Sequence, residues 1–511
     1  ACATPTLAGG LLTNTNQHVA FNRMMSREAS IGIDGVYYNP AGVVFMSEGH
    51  HLAINWQLAF QTRTINNDYA LFTNNVNNPI TPRDFKGTAF APVIPSFQYA
   101  YNKGKWSFQA SFALTGGGGK CTFDDGLGSF EKIVAETAIA ACGLAGVVDQ
   151  TLGNTLGQPG MEMFTSDQAF GKTGKYSFNS YMHGRQYYYG LSVGAAYKFC
   201  DNFSAFLGVR GVYALTNYYG YVENINVGNM PLYKVLDPTK ESSANIELSC
   251  DQSGVGFTPI IGVDYKTGRW NFSAKYEFKT RIRLKNKSVN QTPSIGNLPA
   301  NLANQMTGIL TAKYQQAGLP LEQAKQQAEN TTNAVLNDPT VGATMMGLKT
   351  QFDQKLNKAI GEYEDGKKIA GDIPAYLALG VGYSPVDAVR VNVGFHWFDD
   401  KNATSYNNRN KELKRGTLEY NAGVEVDVNK KITLSTGWQN TNYGLSDEYM
   451  DDKSFVVSSN SVAIGGVYHI NKKMDLNVAY FHTFYQHKKT TETVQLTADR
   501  SLNYSSDYTL S

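Results

Sequence analysis

The sequence predicts an all-β protein: a transmembrane antiparallel β-barrel of 14 strands, with an N-terminal plug and helical insertions in its extracellular loops. Three observations predict it. Several stretches alternate between apolar and polar residues, short turns alternate with long polar segments, and aromatics reach 12% of the 511 residues while charged residues stay at 17%. The longest apolar run, 138–148, is shorter than the roughly 18 residues that a membrane-spanning helix needs. We therefore expect strands to cross the membrane.

The alternation is clearest in 187–199 and 270–284, where aromatic and aliphatic residues occupy every second position. A strand with this period has one apolar face and one polar face. The apolar faces end in Tyr, Trp and Phe, as in the aromatic girdles of outer-membrane barrels, and the polar faces suit a barrel interior. By this parity, five cations are predicted to face the interior: Arg210, Lys275, Lys279, Arg281 and Arg283.

Loop lengths favour a barrel over a soluble β-sandwich. Six connections are short, for example 101–106, 265–270 and 427–432, and long polar segments separate them. Outer-membrane barrels combine tight periplasmic turns with long external loops, whereas a sandwich has no reason to sort its loops by length. Thirteen strands are predicted, near 50–62, 89–101, 105–114, 187–199, 202–215, 245–265, 270–285, 373–384, 388–398, 416–428, 431–441, 458–470 and 473–484.

Closure of the barrel needs an even number of strands, hence a fourteenth that descends from the outside. Residues 494–511 are polar and lack a terminal aromatic, so we expect the closing strand beyond Ser511. Three prolines fall within predicted strands and cannot donate to the ladder: Pro95, Pro259 and Pro374. Each marks either a kink or gap in the wall or an ordinary strand end.

Two external segments, 115–186 and 286–372, contain amphipathic helices. The first helix, within 126–151, carries Phe130 and Ile133 on one stripe. Residues 300–360 form two further helices, the second of which carries Phe352 and Leu356. These stripes either dock on the barrel rim or also form an apolar vestibule that binds a ligand.

Residues 1–47 are predicted to plug the barrel formed by 48–511, because a 14-strand lumen is too wide for its own side chains to fill. Small residues and the turn Asn39-Pro40-Ala41-Gly42 would allow close contact with the inner wall. The plug charges would pair with charges of the lumen; the expected pairs join Arg27, Glu28 and Asp34 to Arg281, Arg283 and Glu425.

The segment "REASIGIDGVYYNPAGV" ahead of the first strand resembles the N-terminal hatch of FadL-type outer-membrane long-chain fatty-acid transporters. Later blocks, including 9–17, 365–383, 418–449 and 476–485, resemble the version found in Bacteroides-type bacteria. The resemblance implies a 14-strand barrel plugged by its first forty-odd residues. The matching hatch positions are Asn39, Pro40 and Ala41, with Gly42 completing the turn.

The resemblance implies transport of long-chain fatty acids or other hydrophobic small molecules across the bacterial outer membrane. Capture at the external loops would be followed by lumenal binding, hatch movement and lateral release into the bilayer. Arg210, Lys275, Arg281 and Arg283 are candidates to bind a carboxylate head, although lumenal ion pairs with acidic residues such as Glu277 are the alternative. The candidates for the external site are Phe130, Ile133, Phe352 and Leu356.

Other functional classes are less well supported. Some FadL-like barrels act as shuttles in type IX protein secretion, and this interaction role is the alternative. The eight His show no nucleophile–base set, so we expect no enzyme, and no cofactor or metal site is predicted. The net charge of +2 argues against nucleic acid. The expected partners are a hydrophobic ligand, outer-membrane lipid and lipopolysaccharide, around a monomeric barrel. Whether Cys121 and Cys142 form a disulfide is left open.

Overall fold

The computed structural model describes residues 11–293, 295–497 and 499–511. These residues form eighteen β-strands: β1 (Gly49–Tyr69), β2 (Arg83–Lys103), β3 (Trp106–Phe123), β4 (Tyr176–Cys200), β5 (Phe203–Val227), β6 (Met230–Pro231), β7 (Ile246–Thr267), β8 (Trp270–Glu277), β9 (Arg283–Gln291), β10 (Lys368–Ala370), β11 (Tyr376–Val386), β12 (Val389–Phe398), β13 (Thr417–Asn429), β14 (Ile432–Asn442), β15 (Ser459–Asn471), β16 (Met474–Tyr485), β17 (Lys488–Thr497) and β18 (Arg500–Leu510). The α-helices are α1 (Val19–Met24), α2 (Gly35–Tyr38), α3 (Gly128–Leu156), α4 (Tyr233–Leu236), α5 (Leu298–Gln316), α6 (Leu321–Leu336) and α7 (Pro339–Ile360).

Antiparallel pairing runs around the wall in chain order, from β1 through β2, β3, β4 and β5 to β7. Strand β7 then pairs with β8 along one part of its length and with β9 along another, so β8 and β9 are two halves of one span. Strands β10 and β11 form the next span in the same way, and simple hairpin pairing continues to β16. With β16 and β17 taken together, the wall has the fourteen spans that the sequence predicts.

The last strand returns to the first. Strand β18 pairs antiparallel with β1 over Arg63–Tyr69, in a register that places Tyr504 opposite Tyr69. Contrary to expectation, the upper part of the closing strand therefore lies within this chain, at 500–510. It faces β1 only from Thr62 upward; among the described residues, the stretch 49–61 of β1 pairs with β2 and has no partner on its other side. The outer face of β18 has few apolar residues, because β18 pairs with the part of β1 above the apolar band. A search for apolar alternation therefore misses this strand.

The first strands are much longer than predicted. Strands β4 and β5 have 25 residues each, whereas a tilted strand needs only about 10 to cross a bilayer. Much of what the sequence analysis assigned to external loops, such as 63–69 and 83–88, is a continuation of these strands. The wall is thus tall from β1 to β9 and short from β11 to β16.

The direction of the side chains agrees with the predicted barrel. Ile54, Trp56 and Phe257 are 78%, 69% and 70% exposed on the outer face. Their neighbours Asn55 and Gln98 are buried in the interior, where the Asn55 amide donates to Gln98 Oε1 at 2.8 Å. Apolar side chains therefore face outward and polar side chains face an enclosed interior.

Helix α3 bears on one expectation and on one question that the sequence left open. By length and composition it is the one helix of the described residues that could span a membrane, with a mean hydropathy of 1.4, although 56% of that window is buried inside the protein. It packs with α5, α6 and α7 in one apolar cluster over the tall part of the wall. Cys142 on α3 has a free thiol that donates to the Phe170 carbonyl at 3.4 Å, so the disulfide to Cys121 does not form. The polar α6 is a third helix where 300–360 was expected to contain two.

Candidate functional site

The N-terminal segment 11–47 fills the interior of the barrel, and its turn motif is attached to the inner wall. The amide of Asn39 donates to the Asp264 carboxylate of β7 at 2.5 Å, and Asn39 Oδ1 accepts the Gly42 N–H at 3.2 Å. The carbonyl of Pro40 accepts from Gln109 of β3 at 2.7 Å. The carbonyl of Ala41, a residue with no exposed surface, accepts from Ser204 of β5 at 2.7 Å. The side chain of Asn39 and the carbonyls of Pro40 and Ala41 thus attach the turn to three strands of the wall, and the Gly42 N–H closes the turn.

A second attachment joins the plug to β12, another strand of the wall. The His396 ring of β12 lies between two carboxylates, with Nε2 2.7 Å from Glu28 Oε1 and Nδ1 2.8 Å from Glu419 Oε2. All three residues are buried. Burial by itself would raise the pKa of Glu28, but the neighbouring His396 holds that pKa below its ordinary range. Glu28 is therefore an anion held by the wall. The sequence analysis considered the histidines only as possible catalytic bases and missed this contact.

Charged pairs complete the attachment. Arg23 of α1 forms an ion pair with Glu425 of β13 and donates to Ser435 at 2.8 Å. Arg27 makes a two-point contact with Asp34 inside the plug, at 2.7 and 3.0 Å, and lies 3.5 Å from Glu425. Burial opposes ionisation of Asp34, but Arg27 holds its pKa below the ordinary value. The expected pairing of plug charges with Glu425 is therefore present.

Glycines of the wall make room for the plug backbone. A Cβ at Gly437 or at Gly423 would overlap the Met24 carbonyl oxygen at the end of α1. A Cβ at Gly380 would lie 2.6 Å from Glu28 Cβ. The plug therefore lies against the wall with no side chain between the two backbones. Because each of these glycines is isolated in its strand, the sequence gives no signal for the groove that they form together.

The predicted lumenal cations divide into two groups. Arg210 and Lys275 do face the interior, where Glu277 accepts from Arg210 at 2.6 and 3.0 Å and from Lys275 at 2.9 Å. Lys275 also donates to the Tyr37 carbonyl of the plug at 2.6 Å. The ion-pair alternative is thus confirmed for both.

Arg281 and Arg283 do not face the interior. The regular strand ends at Glu277 and resumes at Arg283, and the segment between them shifts the alternation by one residue. As a result, Ile282 and Leu284 are buried inside while both arginines are exposed on the outer face. The predictions that they bind a lumenal carboxylate and pair with the plug are wrong. Lys279 is half-exposed and lies 3.9 Å from Asp372.

Two adjoining apolar cavities lie between the external helices and the top of the wall. One, of about 60 Å³, is enclosed by α3, α5, α7 and strand residues such as Ile225 and Ile246. The other, of about 40 Å³, is lined by all four residues predicted for the external site: Phe130, Ile133, Phe352 and Leu356. Ile133 and Phe352 line both cavities. In the second cavity Lys453 supplies a charged side chain, and its ammonium donates to the Ala359 carbonyl at 3.0 Å.

The wall is interrupted between β2 and β3. Their pairing stops after Phe90 opposite Lys120 and resumes only at Ser96 opposite Ala113. The interrupted part of β2 contains Pro95, which has no N–H to donate. On β3 it contains glycines with positive φ, such as Gly117 at 70°, a conformation that side chains disfavour. The other two prolines singled out in the sequence also lie at interruptions. Pro259 keeps its partner Val209 on β5 but lies where β7 passes from pairing with β8 to pairing with β9, and Pro374 lies between β10 and β11.

The start of the plug covers this interruption from inside. Thr13 forms an antiparallel bridge with Gly116, and the Asn14 side chain donates to the Gly117 carbonyl at 2.6 Å. A Cβ at Gly116 would lie 2.6 Å from the Leu12 carbonyl oxygen. The gap in the ladder is thus closed by hydrogen bonds from the plug rather than from a neighbouring strand.

Comparison with known proteins bears on the fold. No protein-family model matches this sequence, and no curated protein matches it either. The structure of a Pseudomonas aeruginosa FadL homologue is similar over 98% of this chain and 98% of its own, with a TM-score of 0.53 and 13% identity. The toluene transporters TbuX of Ralstonia pickettii (13% identity, 94% and 92% covered, TM-score 0.43) and TodX of P. putida (12%, 94% and 92%, 0.44) are more distant. The first of these likenesses shows that the chain has the FadL-type fold, a barrel with an N-terminal plug.

Proposed function

We propose that this protein carries hydrophobic small molecules, long-chain fatty acids among them, across the outer membrane of a bacterium. The observation that carries the proposal is the pair of apolar cavities under the external helices. Both cavities are small, about 60 and 40 Å³, compared with the range of about 300–1,000 Å³ that small-molecule sites have. Entry of an acyl chain would therefore require α3 and α7 to move apart.

The cavities suit capture of an apolar chain. Each buried methylene contributes about 0.8 kcal/mol, so ten of them supply roughly 8 kcal/mol before the cost of immobilisation. The walls offer aliphatic and aromatic side chains, and Lys453 offers a cation at the second cavity. A fatty acid would place its chain between Phe130 and Phe352 and its carboxylate towards Lys453.

The plug and the interrupted ladder support a route out of the barrel. The plug blocks straight passage, because it is buried across the interior and attached to several strands of the wall. At the break between β2 and β3 the wall lacks its own ladder, and the plug residues Thr13 and Asn14 take its place. Movement of these plug residues would open a lateral path to the bilayer without disrupting any strand pairing.

The test compares uptake by two variants of α7. Cells that lack their own fatty-acid transporter would express the protein, and uptake of labelled oleate and of toluene, a hydrophobic probe without a carboxylate, would be measured. Phe352→Asn places a polar group in both cavities and should lower uptake of both probes at least fivefold. Met346→Asn, at a side chain that is 72% exposed on the same helix, should leave uptake unchanged.

Native mass spectrometry of the purified protein completes the test. We expect an acyl chain or another apolar molecule to remain bound to the wild type and to Met346→Asn, and to be lost from Phe352→Asn. Equal uptake and equal ligand retention in the two variants would refute the proposal. Uptake of oleate but not of toluene would restrict the cargo to carboxylates.

A further inference from the structure

The outer face of the tall wall carries a band of basic residues that the transport route does not use. All are exposed, and they lie on strands β3, β4, β9 and β10 or directly before β9. The set, called the basic band below, comprises Lys120, Arg185, Arg281, Arg283, Lys285, Lys287 and Lys368. Because Ile282, Leu284 and Asn286 alternate with the β9 cations and are buried, the band faces away from the interior.

The basic band begins where the apolar outer surface ends. On β7 the exposed apolar residues stop at Val255, which is 62% exposed, and the next outward residue is Ser253, paired with Lys285. One row further, a single cross-strand line joins Lys287, Asp251, Asn217, Arg185 and Lys120 in turn. The cations of this line therefore lie in a continuous row across the strands β9, β7, β5, β4 and β3, next to the last exposed apolar residues of β7.

Two pairs in this band set like charges directly opposite each other. Lys120 pairs with Arg185 between β3 and β4, and Lys285 pairs with Lys368 between β9 and β10. Like charges in directly opposed positions destabilise a sheet. Within the described ranges, no carboxylate oxygen lies within 4.0 Å of any of these four cations, whereas Arg283 is paired with Asp372 at 2.8 Å. An anion that does not belong to this chain would relieve the repulsion within each pair.

Aromatic rings lie immediately beyond the cations. Tyr181 and Tyr221 stack with their centroids 5.8 Å apart, and His183 and Tyr219 lie 5.6 Å apart. These residues continue the outward face of β4 and β5, in the rows that follow Arg185 and Asn217. Rings of this kind present an apolar face and a polar edge to a head-group region.

We propose that the basic band binds the phosphate groups of the glycolipid in the outer leaflet, with sugars of the same lipid against the tyrosine rings. This inference rests on the outer-membrane location given under the proposed function. Charge-assisted contacts of lysine and arginine with phosphate are strong, and basic residues next to a hydrocarbon zone attract anionic lipid head groups. Phosphate bound between Lys285 and Lys368 would convert a repulsive pair into an attractive site.

The experiment measures lipid binding without any transported substrate. Purified protein in a neutral detergent would be titrated with diphosphorylated lipid A, and the affinity and the thermal unfolding midpoint would be followed. The double variant Lys285→Gln, Lys368→Gln should bind about fivefold to thirtyfold more weakly than the wild type, since each exposed contact contributes modestly. The matched control is Lys430→Gln, Lys431→Gln, which removes two exposed cations from the turn between β13 and β14 at the other end of the barrel.

The sign of the stability change provides a second readout. Without lipid, the β9–β10 variant should unfold at a higher temperature than the wild type, because the repulsion is gone. With lipid A, the wild type should gain more stability than the variant. Equal affinities in the variant and the control, or equal stabilisation by dephosphorylated lipid A or by phosphatidylglycerol, would overturn the proposal. Because oleate uptake is not part of this titration, failure of transport and failure of lipid binding would be seen separately.

Discussion

The hydrogen bond between Asn39 and Asp264 allows a sharp test of how the plug is held. Replacing Asn39 with Ala removes the amide that lies 2.5 Å from the Asp264 carboxylate. Asp264 has no exposed surface and, among the described residues, keeps the Asn271 amide, at 2.9 Å, as its one remaining side-chain donor. The Gly42 N–H loses Asn39 Oδ1 but still donates to the Asn39 carbonyl at 3.0 Å. The change therefore acts mainly on the carboxylate.

The magnitude follows from this geometry. A hydrogen bond to a charged group contributes about 1.5–3 kcal/mol. Local opening of the plug around α2 should become easier by that amount, which corresponds to about a 10-fold to 150-fold larger open population. The barrel itself should stay folded, because no strand pairing involves Asn39.

Hydrogen exchange of the α2 backbone measures this opening directly. The reporting amides are those of Tyr38 and Asn39, which donate to Asp34 and Gly35. Their exchange should accelerate by the factor above in Asn39→Ala, while amides in β12 to β14 keep their rates. Asn202→Ala, which removes an exposed amide from the turn between β4 and β5, is the control and should change neither.

A double-mutant cycle shows whether Asp264 is the partner that matters. In an Asp264→Ala background, Asn39→Ala should accelerate exchange at α2 by less than about threefold. If the acceleration is the same in both backgrounds, or if it is absent in the wild-type background, the carboxylate does not hold the plug and the reasoning fails.

Two further predictions concern the wall and an external loop. Gly437→Ala should push the Met24 carbonyl away from β14, weaken the plug attachment by about 1–3 kcal/mol and accelerate hydrogen exchange in α1. Gly211→Ala is the control, because its new Cβ would have no neighbour nearer than 3.8 Å, and it should not accelerate this exchange. Equal acceleration in the two variants would contradict the claim that wall glycines make room for the plug backbone. The Asp400 carboxyl lies in the loop after β12 and accepts the Thr417 N–H; burial raises its pKa to about 6. The folded state therefore binds the proton more tightly than the unfolded state does. The free energy of unfolding should fall by up to about 3 kcal/mol as the pH rises from about 4 through 6. The unfolding temperature of Asp400→Asn should fall less than that of the wild type between about pH 4 and 6.5, and parallel curves would refute this.

The attachment of the plug combines strong and weak elements. Buried charges such as Glu28 and Arg23 are costly to leave alone and are paired with His396 and Glu425. Removing one partner of such a pair would leave an uncompensated charge in the lumen. The contact at the β2–β3 interruption, by contrast, consists of neutral hydrogen bonds from Thr13 and Asn14, each of modest net strength. This difference favours opening at the interruption before release of the whole plug.

The sequence by itself determined the class of fold and the direction of most side chains. Period-2 alternation places Trp270 and Phe272 outside and Lys275 inside whatever the neighbouring strand is, because the pleat alone sets the face. The composition of 28–47 likewise predicted a segment packed closely against the inner wall. The apolar stripes that contain Ile133 and Phe352 predicted that their helices would bury these faces, and both line the same cavities.

The tertiary structure decided those features that depend on which strand a segment pairs with rather than on the segment's own residues. Strands β1 to β5 continue beyond the apolar band through backbone pairing, which leaves no apolar pattern to read, and β18 is recognised only by its register with β1. The one-residue shift between Glu277 and Arg283 reversed the side on which Arg281 lies. The pairing of Lys285 with Lys368 joins residues 83 positions apart. Local periodicity fixes which face a side chain takes, but only packing fixes where the period slips, how far a strand extends and which charges meet.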